Sequence, residues 1–355
     1  MAIHHCFHDN PSPVSPPEDW DIWVQSCEAQ AGFGQSAARA AIVNALQDAP
    51  SYALRTDNEK AGALITHLPA QSSLLCLEGP VLTPEATPAD LTELLNRINA
   101  LSSSLKIQKI EILNPPVRAI WTQNKSFQDI FKQCGFHIQQ WGTYLLDLSL
   151  DEDALFENFS HAARKGIRKC EKNGLYVEEC LKEDAFLSEF ISSYYEEETS
   201  DALQDRIKRS MTWWRLNTEN GRIYRFFIVK NKKDAVMATL GTYHWQGIVT
   251  EIMSHRTQAG QNDNTPAQDL LHWEIFKTHK NAGHKFFNMA GFNPQNRSKK
   301  EEGIRRFKAK WGGQEVTYFN YTKETFSPFS ILRRLYCNFV QNMILTVSIR
   351  TQLKK

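Results

Sequence analysis

The sequence lacks an excess of charge of either sign, a disulfide framework and a long apolar run. Lys and Arg number 41 and Asp and Glu number 40, so net charge gives no general attraction to nucleic acid or membrane, and an anionic partner must be met by local clusters. No stretch approaches the ~18 consecutive apolar residues of a membrane-spanning helix, and the N-terminus lacks the basic and apolar regions of a secretory signal. The seven cysteines form no Cys-x-x-Cys pair, which argues against a disulfide scaffold or a zinc cage and favours a cytoplasmic protein.

The length of 355 residues and the 41% hydrophobic composition suit two domains. Residues 1–19 hold four prolines, which prevent regular structure, and we expect a flexible lead-in there. His4, His5, Cys6 and His8 in this segment are metal-ligating residue types, but no second group of ligands lies near them in the sequence. We interpret them as an incidental surface cluster and expect no metal site.

Hydrophobic periodicity and turn residues predict an ordered unit from residue 20 to residue 148. Thr87 suits the N-cap of one helix, Pro88 its first position and Asp90 its third, a variant of the capping box. The predicted elements in order are a helix over 37–46, strands over 52–55, 61–68 and 74–77, a helix through 101, a strand over 109–113, a helix over 127–134 and a strand ending near 148.

The same order of elements recurs further along the chain. Strands are predicted over 224–229, 235–243, 248–254 and 284–289. Three pairs of segments match at offsets of 178, 176 and 174 residues: Thr265–Gln268 with Thr87–Asp90, Phe307-Lys308 with Phe131-Lys132, and Thr317-Tyr318 with Thr143-Tyr144. Because the offset drifts so little, we predict two copies of one α/β (α+β) unit, each a mixed sheet flanked by helices.

This pattern divides the chain into five segments. They are the lead-in 1–19, a first unit 20–148, a basic linker helix 149–174, a second unit 175–322 and a C-terminal amphipathic helix 323–355. The apolar side of the last helix is too interrupted to span a bilayer, so the helix either packs on the second unit or lies on a membrane surface.

The linker helix has strong boundary signals and a basic flank. Ser149–Glu152 fits a capping box, and Asn173-Gly174 supplies a C-terminal stop, so one helix is predicted between them. The basic flank consists of Arg164, Lys165, Arg168, Lys169 and Lys172. It is either a solvated helix end whose cations suit the macrodipole or a ridge that contacts phosphates.

The stretch Gly303–Gly313 places four cations around Phe307 and ends on a glycine pair. Such a stretch stops a helix and turns the chain into a strand, because glycine adopts positive φ at helix ends. The same stretch also suits the binding of an anion beside a reacting carbonyl. Its cations are Arg305, Arg306, Lys308 and Lys310.

Three segments, Arg164–Val177, Glu78–Leu82 and Gly303–Gly313, resemble the Fem-type peptidyl transferases over roughly residues 20 to 322. The resemblance implies a tandem GNAT fold and the transfer of amino acids from aminoacyl-tRNA to peptidoglycan precursors. It also implies that the Phe307-Lys308 pair lies at the acyl donor and that Gly291 belongs to the substrate-binding region. This chain carries Asn288 where the family usually has an aspartate before that glycine.

An acyl-CoA donor is less favoured by the sequence. GNAT enzymes that use CoA bind its pyrophosphate on a glycine-rich turn, typically Q/R-x-x-G-x-G/A, at a helix start. The corresponding segments, 82–87 and 259–264, lack that spacing. The resemblance makes aminoacyl-tRNA the favoured co-substrate and acyl-CoA the alternative, and no bound cofactor is expected.

Acyl transfer to an amine needs an oriented carbonyl and positive charge where the oxyanion develops. No nucleophile elbow is present, so direct attack is expected, with Lys308 as the cation and Phe307 beside it. The alternative is that Lys308 is a solvated helix lysine and Phe307 a core residue. Candidate phosphate ligands are Arg305, Arg306, Lys310, Arg164, Lys165, Arg168 and Lys169, with Arg206 and Arg209 as weaker candidates for an acceptor phosphate.

The sequence leaves the general base and the acceptor open. Glu251, His255 and Asp263 are the candidate bases. The favoured acceptor is an amine on a cell-envelope or nucleotide-linked precursor. The alternatives are an acyl-CoA-dependent transferase acting on an amino sugar or small amine, and a non-catalytic GNAT pair that binds an anionic ligand or a membrane surface.

Overall fold

The computed structural model describes residues 16–27, 32–47, 49–113, 125–179, 185–219 and 223–325. The strands are β1 (Ser51–Arg55), β2 (Ala61–Leu68), β3 (Ser73–Leu77), β4 (Val81–Leu82), β5 (Lys109–Leu113), β6 (His137–Asp147), β7 (Tyr176–Glu179), β8 (Tyr224–Lys230), β9 (Val236–Trp245), β10 (Ile248–Arg256), β11 (Phe286–Asn288) and β12 (Gln314–Glu324). The α-helices are α1 (Trp20–Cys27), α2 (Ala37–Gln47), α3 (Pro88–Ser104), α4 (Lys125–Gln133), α5 (Glu152–Asn158), α6 (His161–Lys172), α7 (Ala185–Tyr194), α8 (Ser200–Glu219), α9 (Gln258–Asp263), α10 (Ala267–Asn281) and α11 (Lys299–Ala309).

The strands of the described residues form one mixed sheet in which the two repeats exchange their last strands. The order is β1-β2-β3-β5-β12-β6-β11-β10-β9-β8-β7, with β4 paired to β2. Strand β12, which ends the second repeat, pairs antiparallel with β5 of the first repeat, and β6 of the first repeat pairs with β11 of the second. Strands β12 and β6 also pair with each other over nine residues, which joins the two halves.

The side chains of the exchanged strands β6 and β12 pack in the core of the other repeat. Tyr321 of β12 stacks on Phe131 of α4, with ring centroids 3.6 Å apart, inside the core of the first repeat. Tyr144 and Leu146 of β6 belong instead to the core of the second repeat, together with Trp311. Each core therefore takes buried aromatic surface from the other repeat's last strand, and burial of one such side chain is worth roughly 1.5–3 kcal/mol.

The sheet is strongly curled. Glu78, which directly follows β3, lies six strand positions from β9, a separation of roughly 29 Å in a flat sheet at ~4.8 Å per strand. The Tyr243 hydroxyl on β9 nevertheless donates a hydrogen bond to the Glu78 carboxylate at 2.7 Å. The two repeats thus meet on the concave face of the curled sheet, where this hydrogen bond and the packing of Phe33 against Tyr243 link the two sides of a cleft.

The segment between α1 and α2 fills the open edge between β2 and β3. These strands pair only over Thr66–Leu68, and the fully buried Gln35 bridges them beyond that point. Its Oε1 accepts from Leu64 N at 2.8 Å and its Nε2 donates to Leu77 O at 2.7 Å. Backbone groups that the sheet leaves unpaired are satisfied in this way.

Most predicted elements are confirmed, and two local predictions are wrong. The capping box of Thr87 and Asp90 opens α3 as expected. At the matching place in the second repeat, Pro266 instead of Thr265 takes the N-cap, without a side-chain cap, because the Thr265 hydroxyl donates to the Asp263 carboxylate. The predicted capping box of Thr265 and Gln268 is therefore absent from α10.

The predicted single linker helix is two helices, α5 and α6. Asp151 instead of Ser149 caps α5, because the Ser149 side chain is bonded to Asp147. The chain is extended at Phe159, and Ser160 caps α6 while its N–H donates to Lys310 O at 2.8 Å. The stop at Asn173-Gly174 is confirmed, with Gly174 at a φ of 72°.

Two predicted end segments cannot be compared with the structure. Most of the lead-in 1–19 and most of the C-terminal helix 323–355 lie outside the described residues. None of the helices described is both long and apolar enough to cross a membrane. The residue boundaries proposed for the two units stay a prediction.

Candidate functional site

A gap opens between the neighbouring parallel strands β10 and β11. Their pairing ends at Thr250 opposite Asn288, and β10 then shifts register between Ile252 and His255. Met253 on one side of the gap has a φ of 51°, and Ala290 on the other has a φ of 59°. Such left-handed conformations are costly for residues with side chains and cluster at functional sites.

The same feature occurs in the first repeat. Glu78, with a φ of 53°, follows β3 and precedes Met253 by 175 positions, within the range of offsets that relates the repeats. The strained backbone position is therefore part of the duplicated unit.

Lys308 of α11 holds the far side of the gap. Its ammonium donates to the carbonyl oxygens of Met289, Ala290 and Gly291 at 2.6, 2.9 and 3.1 Å. The residue is only 8% exposed, so its interpretation as a solvated lysine is wrong. Burial lowers the pKa of Lys308, and the negative charges of Glu251 and Glu301 oppose that shift. All three ammonium hydrogens are used to fix the loop after β11.

Glu251 and His272 form a buried pair close to Lys308. His272 Nε2 lies 3.3 Å from Glu251 Oε2, and His272 Nδ1 donates to Gln268 O at 2.7 Å. The His272 ring stacks on Trp311 with centroids 5.2 Å apart. Glu251, a candidate base, is thus a buried partner of His272 that faces Lys308. The other two candidate bases also have partners: Glu196 for His255 and Thr265 for Asp263.

Asn288 ties three segments together at the closed end of the gap. Its Oδ1 accepts from Ala290 N at 3.1 Å and lies 2.8 Å from the Thr143 hydroxyl of β6. Its Nδ2 lies 3.4 Å from the Thr250 hydroxyl of β10. An amide supplies both an acceptor and a donor here, which gives a physical reason for asparagine at this position.

Gly291 and Tyr318 meet at the floor of the cleft. A Cβ atom on Gly291 would lie 2.5 Å from the Tyr318 hydroxyl and 3.1 Å from the ring of Trp141, so only glycine fits. Tyr318 and Trp141 are direct cross-strand partners on β12 and β6. Burial, with a further contribution from the negative charge of Glu78, raises the pKa of Tyr318 to about 12.

The remaining predicted residues of the stretch Gly303–Gly313 have different surroundings. Arg305 pairs with Glu315 at 2.9 Å, and Lys310 pairs with the buried Asp269 at 2.5 Å. Phe307 is half-buried, packs against the core and lies under the Lys310 ammonium at 4.0 Å. Arg306 is exposed. Lys310 is thus occupied by a structural ion pair, while Arg306 keeps an open position on the surface.

The basic flank of α6 is a real surface feature. Lys165, Arg168 and Lys169 are exposed, and within the described part of the chain neither they nor Arg164 pair with a carboxylate. Arg164 donates to Glu157 O at 3.0 Å, and Arg168 lies 5.5 Å from the ring of Phe156. The helix therefore presents unneutralised cations to solvent.

The weaker acceptor candidates lie on α8. Arg206 is bound through Nε by both oxygens of Glu198, at 2.6 and 2.8 Å, and stacks over Tyr195 at 4.1 Å. Arg209 is exposed and donates to the Asp205 carbonyl oxygen of its own helix. Neither residue contacts the loop held by Lys308. No group of metal-ligating side chains suited to a metal occurs among the residues that the structure covers.

Sequence reasoning missed the roles of Tyr318, His272 and Tyr243. Tyr318 stood out only through its match with Tyr144 in the repeat. The close approach to Gly291 and the hydrogen bond across the cleft depend on the exchange of strands and on sheet curl, which leave no local sequence signal.

Comparison with known proteins shows the fold. No family model and no curated protein sequence matches the chain. Among solved structures, FemX matches with a TM-score of 0.62 at 14% identity, over 88% of this chain and 97% of FemX. A tandem GNAT protein from the clavulanic acid biosynthesis pathway matches with a TM-score of 0.61 at 11% identity, over 89% and 98% of the two chains. L-PGS from Bacillus licheniformis matches with a TM-score of 0.52 at 11% identity, over 94% and 99%.

At these identities the likeness concerns architecture alone. The chain has the Fem-like tandem GNAT fold, as its sequence resemblance predicted.

Proposed function

We propose that this protein is an acyltransferase that moves an aminoacyl group directly from aminoacyl-tRNA to an amine. The observation that carries this proposal is the gap between β10 and β11, whose two sides hold Met253 and Ala290 in strained conformations. The Lys308 ammonium fixes one side of the gap from beneath. A gap between strands with positive charge on one side suits an acyl carbonyl that must be oriented and polarised.

The reaction needs no covalent enzyme intermediate. The neutral amine nitrogen forms a bond to the ester carbon, and the carbonyl oxygen gains negative charge. Collapse of this adduct breaks the ester C–O bond, and the departing ribose oxygen receives the proton that the amine loses. The protein's part is to orient the carbonyl and to stabilise the oxyanion.

Two helix starts argue against a CoA pyrophosphate. After β10, the first N–H of α9, on Gln258, donates to the Glu196 carboxylate at 2.7 Å. After β3 and β4, the N–H of Thr87, the N-cap of α3, donates to the Asp90 carboxylate at 2.6 Å. Because a carboxylate already occupies each helix N-terminus, a diphosphate there would meet like charge.

The exposed cations of α6 favour a polyanionic donor. Lys165, Arg168 and Lys169 carry no neutralising carboxylate within the described residues, which suits contact with several phosphates. The acceptor we propose is an amine on a cell-envelope or nucleotide-linked precursor, as the Fem-type resemblance implies. A cytoplasmic enzyme that contacts the membrane through segment 323–355 fits this acceptor.

A transfer assay tests the proposal. Purified protein is given either a mixture of charged tRNAs or acetyl-CoA, with an amine acceptor panel that includes nucleotide-linked peptides and amino sugars. We expect transfer from tRNA and a loss of about 10²–10³ in rate for Lys308→Ala, because the site loses a positive charge and the support of the Met289–Gly291 loop. Lys208→Ala, on the exposed side of α8, is the control for removal of a surface lysine.

Three results would decide against parts of the proposal. Transfer from acetyl-CoA but not from tRNA would show that acyl-CoA is the donor. Transfer from neither donor would favour a non-catalytic binding protein. An unchanged rate in Lys308→Ala would remove Lys308 from the site.

A further inference from the structure

Lys308 has no hydrogen left for a substrate. Its three N–H groups are engaged by the carbonyl oxygens of Met289, Ala290 and Gly291 within 3.1 Å, and the residue is almost fully buried. Each of these carbonyls would lose its partner if the ammonium turned toward a ligand, and an unpaired buried carbonyl is costly. While the loop keeps this conformation, Lys308 acts on the substrate through charge and loop shape only.

Tyr318 lies on the other face of the same loop. The hydroxyl approaches Gly291 closely, where a side chain would exclude it. Tyr318 is 9% exposed, and no described residue forms a hydrogen bond with its hydroxyl. The hydroxyl oxygen is not among the fully buried, unpaired side-chain atoms of the described residues, so it is accessible to an external partner.

Two neighbouring tyrosines do not share this property. The Tyr144 hydroxyl donates to Glu315 at 2.6 Å, and the Tyr243 hydroxyl donates to Glu78 at 2.7 Å. Of these three tyrosines, Tyr318 alone has no hydrogen-bond acceptor for its proton among the described residues.

We propose that Tyr318 is the hydrogen-bond donor to the acyl carbonyl oxygen and that Lys308 is the positioning residue that holds the Met289–Gly291 loop beside it. This inference rests on the proposed function and assigns the donor within it. When the amine nitrogen bonds to the carbonyl carbon, the oxygen that becomes negative receives the Tyr318 hydrogen bond. Tyr318 keeps its proton throughout, and the proton that leaves the amine goes to the departing ribose oxygen.

The ionisation of Tyr318 suits this role. Burial and the charge of Glu78 raise its pKa to about 12, so the hydroxyl stays protonated across the neutral range. A neutral donor placed where charge develops stabilises the transition state more than the ground state.

The test compares Tyr318→Phe with Lys308→Ala under single-turnover conditions, using whichever donor the wild-type protein accepts. Tyr318→Phe is expected to slow the chemical step about 10²-fold, with unchanged donor affinity and unchanged thermal midpoint. Lys308→Ala is expected to lower rate and thermal midpoint together, because the loop loses its support. Tyr52→Phe, another buried tyrosine distant from the gap on β1, is the matched control.

A binding measurement separates the chemical role from a structural one. A phosphonate mimic of the tetrahedral adduct should bind Tyr318→Phe about 10²-fold more weakly than wild type, whereas an amide-linked planar analogue should bind both equally. Equal weakening for the two ligands, or a Tyr318→Phe rate within twofold of wild type, would overturn the assignment. If wild type itself transfers no acyl group from either donor, the proposed function fails and this assignment falls with it.

Discussion

The Tyr243 hydroxyl donates to the Glu78 carboxylate at 2.7 Å although six strand positions separate the two residues. Glu78 also accepts from Gly34 N at 2.7 Å, so it joins the segment between α1 and α2, the end of β3 and β9 of the second repeat. Burial, first, and then the negative charge of Glu78 raise the pKa of Tyr243 well above its ordinary value, so the tyrosine remains the donor. At this contact between the two repeats, the charge-assisted hydrogen bond therefore lies beside the packing of Phe33 against Tyr243 and Trp245.

Tyr243→Phe should lower the free energy of unfolding by about 1.5–3 kcal/mol, the range for a hydrogen bond to a charged group. Chemical denaturation measures the effect, with Tyr176→Phe as the control, since the Tyr176 hydroxyl bonds Asp234 on the exposed surface. In a Glu78→Gln background, Tyr243→Phe should lower the free energy of unfolding by less, because the acceptor is no longer charged. Equal costs in both backgrounds would show that the two residues are not coupled.

The local elements of this fold follow from the sequence, whereas its long-range pairings do not. Capping at Thr87 and the strand over 109–113 depend on neighbouring residues, and both are confirmed. The exchange of β6 and β12 depends on which edges meet after collapse, and the periodicity of the two strands is the same in either pairing. The same limit applies to the site, where Phe307-Lys308 is conspicuous in sequence but the carbonyls that Lys308 binds follow another strand.

The helix break at Ser160 illustrates why the linker prediction failed. Apolar residues keep helical spacing through Phe159, so nothing in the pattern marks the break. Contacts with residues distant in the sequence cause the break. Ser160 N donates to Lys310 O, and Gly312 packs against the Asn158 backbone. Tertiary contacts of this kind override helix propensity.

Stability should fall steeply with acid because of a buried histidine cluster. Burial holds the pKa of His279 down to about 2, with further contributions from Arg225, His284 and His244, while the unfolded value is near 6.5. The unfolded chain therefore binds more protons below pH 6.5, so this contribution is complete above that pH and is lost as the pH falls toward 2. The slope reaches at most about 1.4 kcal/mol per pH unit for one proton.

His279→Gln should flatten this dependence. Burial also lowers the pKa of His284, so that residue acts in the same direction and remains in the variant. Unfolding free energies measured between pH 7.5 and 4.5 should converge for wild type and variant toward acid. Parallel curves would contradict the assignment, since the carboxylates common to both proteins cancel in the comparison.

Salt should weaken RNA binding through the α6 surface. Replacing Lys165, Arg168 and Lys169 with glutamine removes three cations that have no neutralising carboxylate within the described residues. The slope of log affinity against log salt should then become shallower by about 0.7–0.9 for each phosphate that the protein no longer neutralises. Fluorescence anisotropy with a labelled tRNA between 50 and 300 mM salt measures this slope.

A second triple variant shows whether the change in salt slope comes from the α6 surface or from the lower net charge of the protein. The triple glutamine variant of Lys106, Lys125 and Lys208 removes the same number of exposed cations, none of which pairs with a carboxylate within the described residues. Its salt slope should equal that of wild type. If both triple variants change the slope equally, α6 is not the contact surface.

Substitution by alanine should change the free energy of unfolding in opposite directions at two helical glycines, Gly166 and Gly303. Helix propensity alone favours alanine by about 1 kcal/mol. A Cβ on Gly166 of α6 would clash with the Asp269 carboxylate, which Lys310 binds at 2.5 Å in a buried pair. A Cβ on Gly303 of α11 meets no atom within 4 Å.

Gly303→Ala should therefore raise the free energy of unfolding by about 0.5–1 kcal/mol. Gly166→Ala should lower it by about 1–3 kcal/mol, because displacement of Asp269 weakens a buried ion pair by more than the propensity gain. Urea unfolding of the two variants beside wild type measures both values, and each is the other's control. Stabilisation of Gly166→Ala equal to that of Gly303→Ala would mean that Asp269 moves aside freely and that its pairing with Lys310 contributes little.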